Sequence, residues 1–146
     1  MKRSWREHTA AMNYDQFVGE VQHKARLGST GEAVAAIRAT LTTLADRLTP
    51  DMAENLAAQL PREIGRYLLE GRGPQRFSPE ELVNRVAERE VADPPRAAYH
   101  IRAVMDVLRG AVSEGQWEKL RAQLPEEWEA ILEAGPFGEA EGEGED

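Results

Sequence analysis

The side chains able to do chemistry are few and scattered. The three histidines, His8, His23 and His100, stand alone. None has a second histidine three or four positions away, so the helical spacing that holds zinc beside a general base is missing. His23 and His100 read as surface or core-edge residues. Cysteine is absent, which excludes thiol nucleophiles, disulfides, iron–sulfur clusters and zinc–thiolate sites. The serines, Ser4, Ser29, Ser78 and Ser113, lie outside any Gly-x-Ser-x-Gly elbow. Ser78 and Ser113 stand where helix caps belong, and Ser29 reads as a loop residue. The glycines at 28–31 and 71–73 lack the strand, helix and lysine of a phosphate cradle. Carboxylates are plentiful, but on helices they make a solvated face, and Glu126, Glu127 and Glu129 suit the positive end of a helix dipole. No catalytic residue, metal ligand or cofactor is expected, and the chain is read as not an enzyme.

What remains is arginine and aromatic chemistry. Arg38 and Arg102 lie beside apolar stripes, as structural arginines paired with acids such as Glu63 and Glu127, or as a symmetric site for an anion or partner. Tyr99 and His100 adjoin Arg102. Trp117 stands where a related segment has the small Ala53, which predicts an exposed ring available to a partner. Arg62, Arg66, Arg72 and Arg76, interleaved with Tyr67 and Phe77, form a local basic cluster. It reads as a solvated linker, or as a docking patch for an acidic partner or the chain's own tail.

Helices must position these groups. The chain has 146 residues, 41% apolar and 30% charged, with only three each of Phe, Tyr and Trp. Ala, Leu, Glu and Arg dominate, which favours helix. Net charge is −8, against a duplex nucleic-acid binder, and no apolar run is long enough for a membrane span. A cytoplasmic protein is expected. Caps at Asn13, Thr49, Ser78, Asp93 and Ser113, with prolines at first helical positions, mark helix starts. Glu81 is placed to reach back to the Ser78 cap amide. The expected helices are 13–27, 31–47, 50–60, 61–70, 79–90, 95–110, 114–124 and 125–134, an all-α bundle.

A repeat at an offset of 64 organises them. Ile37-Arg38-Ala39 matches Ile101-Arg102-Ala103, and Gln59-Leu60-Pro61 matches Gln123-Leu124-Pro125; positions 33–63 carry 12 identities without a gap. Phe17-Val18-x-x-Val21 matches Leu82-Val83-x-x-Val86 with one residue of slippage. Each half reads as four helices, hinged at Leu-Pro, with the leucine plugging the core. Val34, Ile37, Leu41, Leu44 and Leu48, and again Ala98, Ile101, Met105, Leu108 and Val112, form stripes that pack helix on helix. Half the chain would bury a marginal core. The halves, 12–72 and 76–134, are therefore expected to dock through their long helices about a pseudo-two-fold axis. Residues 1–11 read as a flexible extension and 135–146 as a disordered acidic tail.

The Asn13-Tyr14-Asp15-Gln16-Phe17 start, the Leu48-Thr49-Pro50 turn, the Gln-Leu-Pro motifs and Phe77-x-x-x-Glu81-Leu82-Val83-x-x-Val86 resemble a bacterial family known as domain of unknown function 2267. The resemblance covers about residues 12–133. It implies a small all-helical protein of two related halves and carries no catalytic residues. The expected function is a non-catalytic helical interaction or adaptor module of the bacterial cytoplasm, binding a protein or itself, with nucleic acid and membrane set aside as partners. The alternative is a small-molecule or anion-binding regulator with Arg38 and Arg102 lining a site between the halves. A third reading is nucleic-acid mimicry by the acidic tail.

Overall fold

The computed structural model describes residues 12–133, and the expectations for residues 1–11 and 135–146 fall outside them. Its described residues form helices and no strand: α1 Tyr14–Lys24, α2 Thr30–Arg47, α3 Pro50–Ala57, α4 Arg62–Leu68, α5 Pro79–Glu90, α6 Pro94–Ala111, α7 Glu114–Gln123, a 3-10 turn Glu126–Trp128 and α8 Glu129–Glu133. None is long and apolar enough to cross a membrane.

The caps set these starts. Asn13 and Gln16 exchange hydrogen bonds in a capping box, 2.8 and 2.9 Å. Thr49, Ser78, Asp93 and Ser113 each accept an N–H from the third residue on. Ser29 does the same for Glu32, so it is a cap and not the loop residue expected. The signal was present as Ser-x-x-Glu, but Glu32 accepts from Gly28 N–H and leaves the box open. Glu81 does not reach back to the Ser78 amide; its carboxylate turns forward to Arg85 at 2.9 Å, because a guanidinium one turn on is the stronger partner. The single helix expected over 125–134 begins instead as a tight turn, closed by Trp128 N–H on the Pro125 carbonyl at 2.9 Å, and this turn seats the fully buried Trp128 ring.

Helix ends carry weaker signals. α1 stops at Lys24, short of the expected 27, at a left-handed residue, Arg26 with φ 55°. Leu27 N–H closes the turn on the Gln22 carbonyl at 2.9 Å. α5 ends the same way: Val91 has φ 57° and Ala92 N–H bonds the Ala87 carbonyl at 2.9 Å. Both ends use a turn that normally takes glycine. Val91 is strained there, since a β-branched residue in this region is an outlier, and at 90% exposure it packs on nothing. Val91→Gly is expected to raise stability by about 0.5–1 kcal/mol, the relief of strain outweighing the added freedom of the unfolded chain. A denaturant midpoint that falls would refute this.

The long helices build the core. In α2, Ile37, Leu41 and Leu44 are buried, and so is Leu48 at its C-cap; in α6, Ile101, Met105 and Leu108 are buried, with Val112 at the cap. Burial is wider than a single stripe. Ala33, Ala36, Ala39 and Ala45 are also inside, with Thr40 and Thr43, because α2 is packed by α1, α4, α5 and α6 together. Small residues let those helices approach. Val34 and Ala98, expected inside, are only half-buried, and Ala33 and Ala97 take the inner places. α2 packs on α6, α1 on α6 and α5 on α2. The Leu-Pro corners bury Leu60 and Leu124 as expected.

Candidate functional site

The connector between α4 and α5 is where the unusual residues gather. Asp46 is nearly buried, one residue before the end of α2, where a carboxylate opposes the helix dipole. Its partners explain it. Arg72 N–H donates to Asp46 Oδ1 at 2.8 Å, Gln75 N–H donates to the Asp46 carbonyl at 2.8 Å, and Arg89 Nη2 lies 3.6 Å from Oδ2. Asp46 therefore straps residues 71–75 to the end of α2. Gly71 and Gly73 permit the approach. A Cβ at Gly71 would stand 2.6 Å from the Ala45 carbonyl carbon, and one at Gly73 would stand 2.5 Å from the Asp46 carbonyl oxygen. The connector is fixed, where a solvated linker was expected.

Five arginines surround this strap. Arg47 Nε donates to the Phe77 carbonyl at 3.3 Å, with its guanidinium 5.5 Å from the centre of the Trp128 ring. Arg85 stacks 4.1 Å over Phe77 and donates to Gln75 Oε1 at 3.1 Å. Arg89 donates to Thr43 Oγ1 at 2.7 Å and Thr42 Oγ1 at 3.1 Å. Phe77 and Trp128 are tilted against each other, ring centres 6.0 Å apart. Arg72 and Arg76 are exposed on the strap, and their guanidinium groups make no ion pair with a described residue. Arg47 feels the crowding. Burial first, then the Arg76 cation, lowers its pKa from the ordinary value, and Glu127 acts the other way. Asp46, Glu81 and Glu127 stand against these arginines, and Glu70 and Glu80 lie exposed at the two ends of the connector.

This surface is the basic cluster read from residues 62–77, rebuilt by the fold. Arg72, Arg76 and Phe77 belong to it. Arg62 and Arg66 are exposed on α4. Arg47, Arg85 and Arg89 were missed, since they come from α2 and α5 and no local spacing joins them. Tertiary packing alone brings them in.

The other sequence candidates sit as follows. Arg38 is exposed on α2 and Arg102 half-buried on α6, each beside a buried isoleucine of the core. Tyr99 Oη donates to the Lys24 carbonyl at 3.2 Å, and Lys24 Nζ pairs with Asp106 at 3.0 Å; both contacts tie α6 to the end of α1. His100 Nδ1 lies 2.9 and 3.1 Å from the Glu90 carboxylate oxygens, with side chains only 9% and 5% exposed. That buried pair joins α5 to α6. Trp117 corrects the expectation of an exposed ring: it is 2% exposed. Its place on α7 faces inward, as the buried Ala53 does on α3, so the larger ring fills core space and carries Arg109 over its face at 5.5 Å. A shallow open depression of ≈ 540 Å³ runs along Gly19, Gln22, His23, Arg26 and Leu27; one helix end lines it, with no converging groups from a second element. Among the described residues no three His, Asp or Glu side chains gather to hold a metal ion.

A family model described as "Uncharacterized conserved protein (DUF2267)" matches residues 14–131. That is most of the chain, and the chain belongs to this family. Comparison with curated proteins finds no match.

Proposed function

We propose that this DUF2267 family member is a non-catalytic helical interaction module of the bacterial cytoplasm, and that its binding face is the arginine-lined strap. The observation that carries the reading is the pair of exposed guanidiniums at Arg72 and Arg76, held on a fixed backbone beside Arg47, on a chain whose net charge is −8. A fixed scaffold lowers the ordering cost of binding, and arginine forks match carboxylates two bonds at a time. The partner is a protein bearing an acidic segment.

We also infer that the scaffold arose from two copies of one four-helix unit about a pseudo-two-fold axis. The 18-residue helices α2 and α6 start 64 residues apart, and the left-handed ends of α1 and α5 fall at Arg26 and Val91, 65 apart. Cross-contacts come in exchanged pairs. Ser113 N–H donates to Gln59 Oε1 at 2.7 Å, while Gln123 Nε2 donates to Thr49 Oγ1 at 3.2 Å. Met52 and Gln116, matched positions of the repeat, touch each other at 3.5 Å.

A glutamate-rich peptide titrated into isotope-labelled chain tests the function. Amide shifts are expected at Arg47 and over 71–77, with affinity at least tenfold weaker in the Arg72→Glu/Arg76→Glu double variant. Screening in about 0.5 M salt should abolish them. Shifts equal in both proteins, or none in either, would refute the reading. Phosphate and citrate serve as small anions. Saturable binding of these that survives the double variant and is lost in Arg38→Ala and Arg102→Ala would favour the small-anion alternative instead.

A further inference from the structure

We propose that the strap's resident occupant is this chain's own acidic segment, Glu139 to Asp146, which an outside acidic partner must displace. The proposal shares with the functional reading the premise that the strap accepts a run of carboxylates. Three observations on this molecule carry it. The first is charge. The segment reads Glu-Ala-Glu-Gly-Glu-Gly-Glu-Asp, with no basic residue anywhere after Arg121, while Arg72 and Arg76 stand exposed on the strap without an ion pair to a described residue.

The second is pattern. Glutamates at 139, 141, 143 and 145 recur at every second position. An extended chain places such residues on one side, about 6–7 Å apart, a spacing that lets successive carboxylates meet separate guanidiniums. The alternating Gly and Ala add no bulk that would hold them off a surface.

The third is reach. The 3-10 turn ends at Trp128, whose ring lies under Arg47 and against Phe77 at the edge of the strap. Glu133 is five residues further on, no more than about 8 Å along α8. The six residues to Glu139 span up to about 20 Å when extended. The segment is thus tethered within reach of Arg47, Arg72 and Arg76. Tethering raises its effective concentration to about the millimolar range, enough to populate a contact of low intrinsic affinity.

The full-length chain offers a clean test, because it has no cysteine. Ala140→Cys carries one nitroxide label. The expected result is broadening of the amide signals of Arg72, Gln75 and Arg76 at low salt, removed by Arg72→Glu/Arg76→Glu. No broadening at the strap, or broadening that survives the charge reversal, overturns the proposal. A second variant changes Glu139, Glu141, Glu143 and Glu145 to Gln and Asp146 to Asn in the full chain. The glutamate-rich peptide should then bind at least threefold more tightly. Equal peptide affinity with no label contact sinks the resident segment and leaves the interaction module standing. Label contact with no peptide binding under any condition upholds the resident segment and sinks the module.

Discussion

Gly73→Ala is expected to destabilise the protein by about 3 kcal/mol, near the upper end of overpacking costs. The new methyl group would stand 2.5 Å from the Asp46 carbonyl oxygen and 2.8 Å from its carbon, and would press on the Leu48 carbonyl as well. All three are backbone atoms at the end of a helix gripped by four others, so no rotamer change relieves them. The strap must lift, and lifting it breaks the Arg72 and Gln75 amide bonds to Asp46. Peptide affinity should fall together with stability. Gly110→Ala is the matched control: nothing lies within 4 Å of its added carbon, and better helix propensity predicts a gain of up to about 1 kcal/mol. Denaturant midpoints of the two variants should move in opposite directions. If Gly73→Ala unfolds at the wild-type midpoint, the strap is not pinned to α2.

Trp128→Ala should cost about 3–5 kcal/mol, the range for removing a buried aromatic. The ring is completely buried, and it also forms the floor beneath Arg47 and the wall against Phe77. Cavity formation is thus coupled to loss of the surface that places two arginines. Trp128→Phe separates the two effects. It keeps an aromatic face under the guanidinium and should lose only about 1–2 kcal/mol, with peptide binding within a few-fold of wild type. Calorimetric unfolding gives the first number and titration the second. A Trp128→Ala variant that keeps full peptide affinity would detach the arginine cluster from the core beneath it.

Much of this architecture was legible because capping chemistry is local. Asn13, Thr49, Ser78, Asp93 and Ser113 announce helix starts from side chains within three residues. The ends were less legible, since Arg26 and Val91 occupy left-handed turns where glycine would have been the written signal. Trp117 was misplaced because residue size was read as exposure, when the facing of the helix decides it: Ala53 and Trp117 are both inward. The breadth of burial in α2 was hidden for a similar reason. A period-3.6 stripe shows one contact face, and a helix surrounded by four neighbours has several. The candidate site was half visible. Arg72, Arg76 and Phe77 lie close together along the chain, whereas Arg47, Arg85 and Arg89 join them only through the packing of α2 against α5. Glu81 misled for the opposite reason, its short-range capping role yielding to Arg85 one turn on.

Two long-range glutamine contacts, Gln59 on the cap of α7 and Gln123 on the cap of α3, bear on how the molecule comes apart. The end of α3 supplies a hydrogen-bonding group to the start of α7 and the end of α7 supplies one to the start of α3, so loosening either side of the chain removes support from the other. Deuterium should therefore enter the deepest amides of α2 and α6 at one shared rate, through concerted opening of the entire bundle and not through piecemeal release of one half.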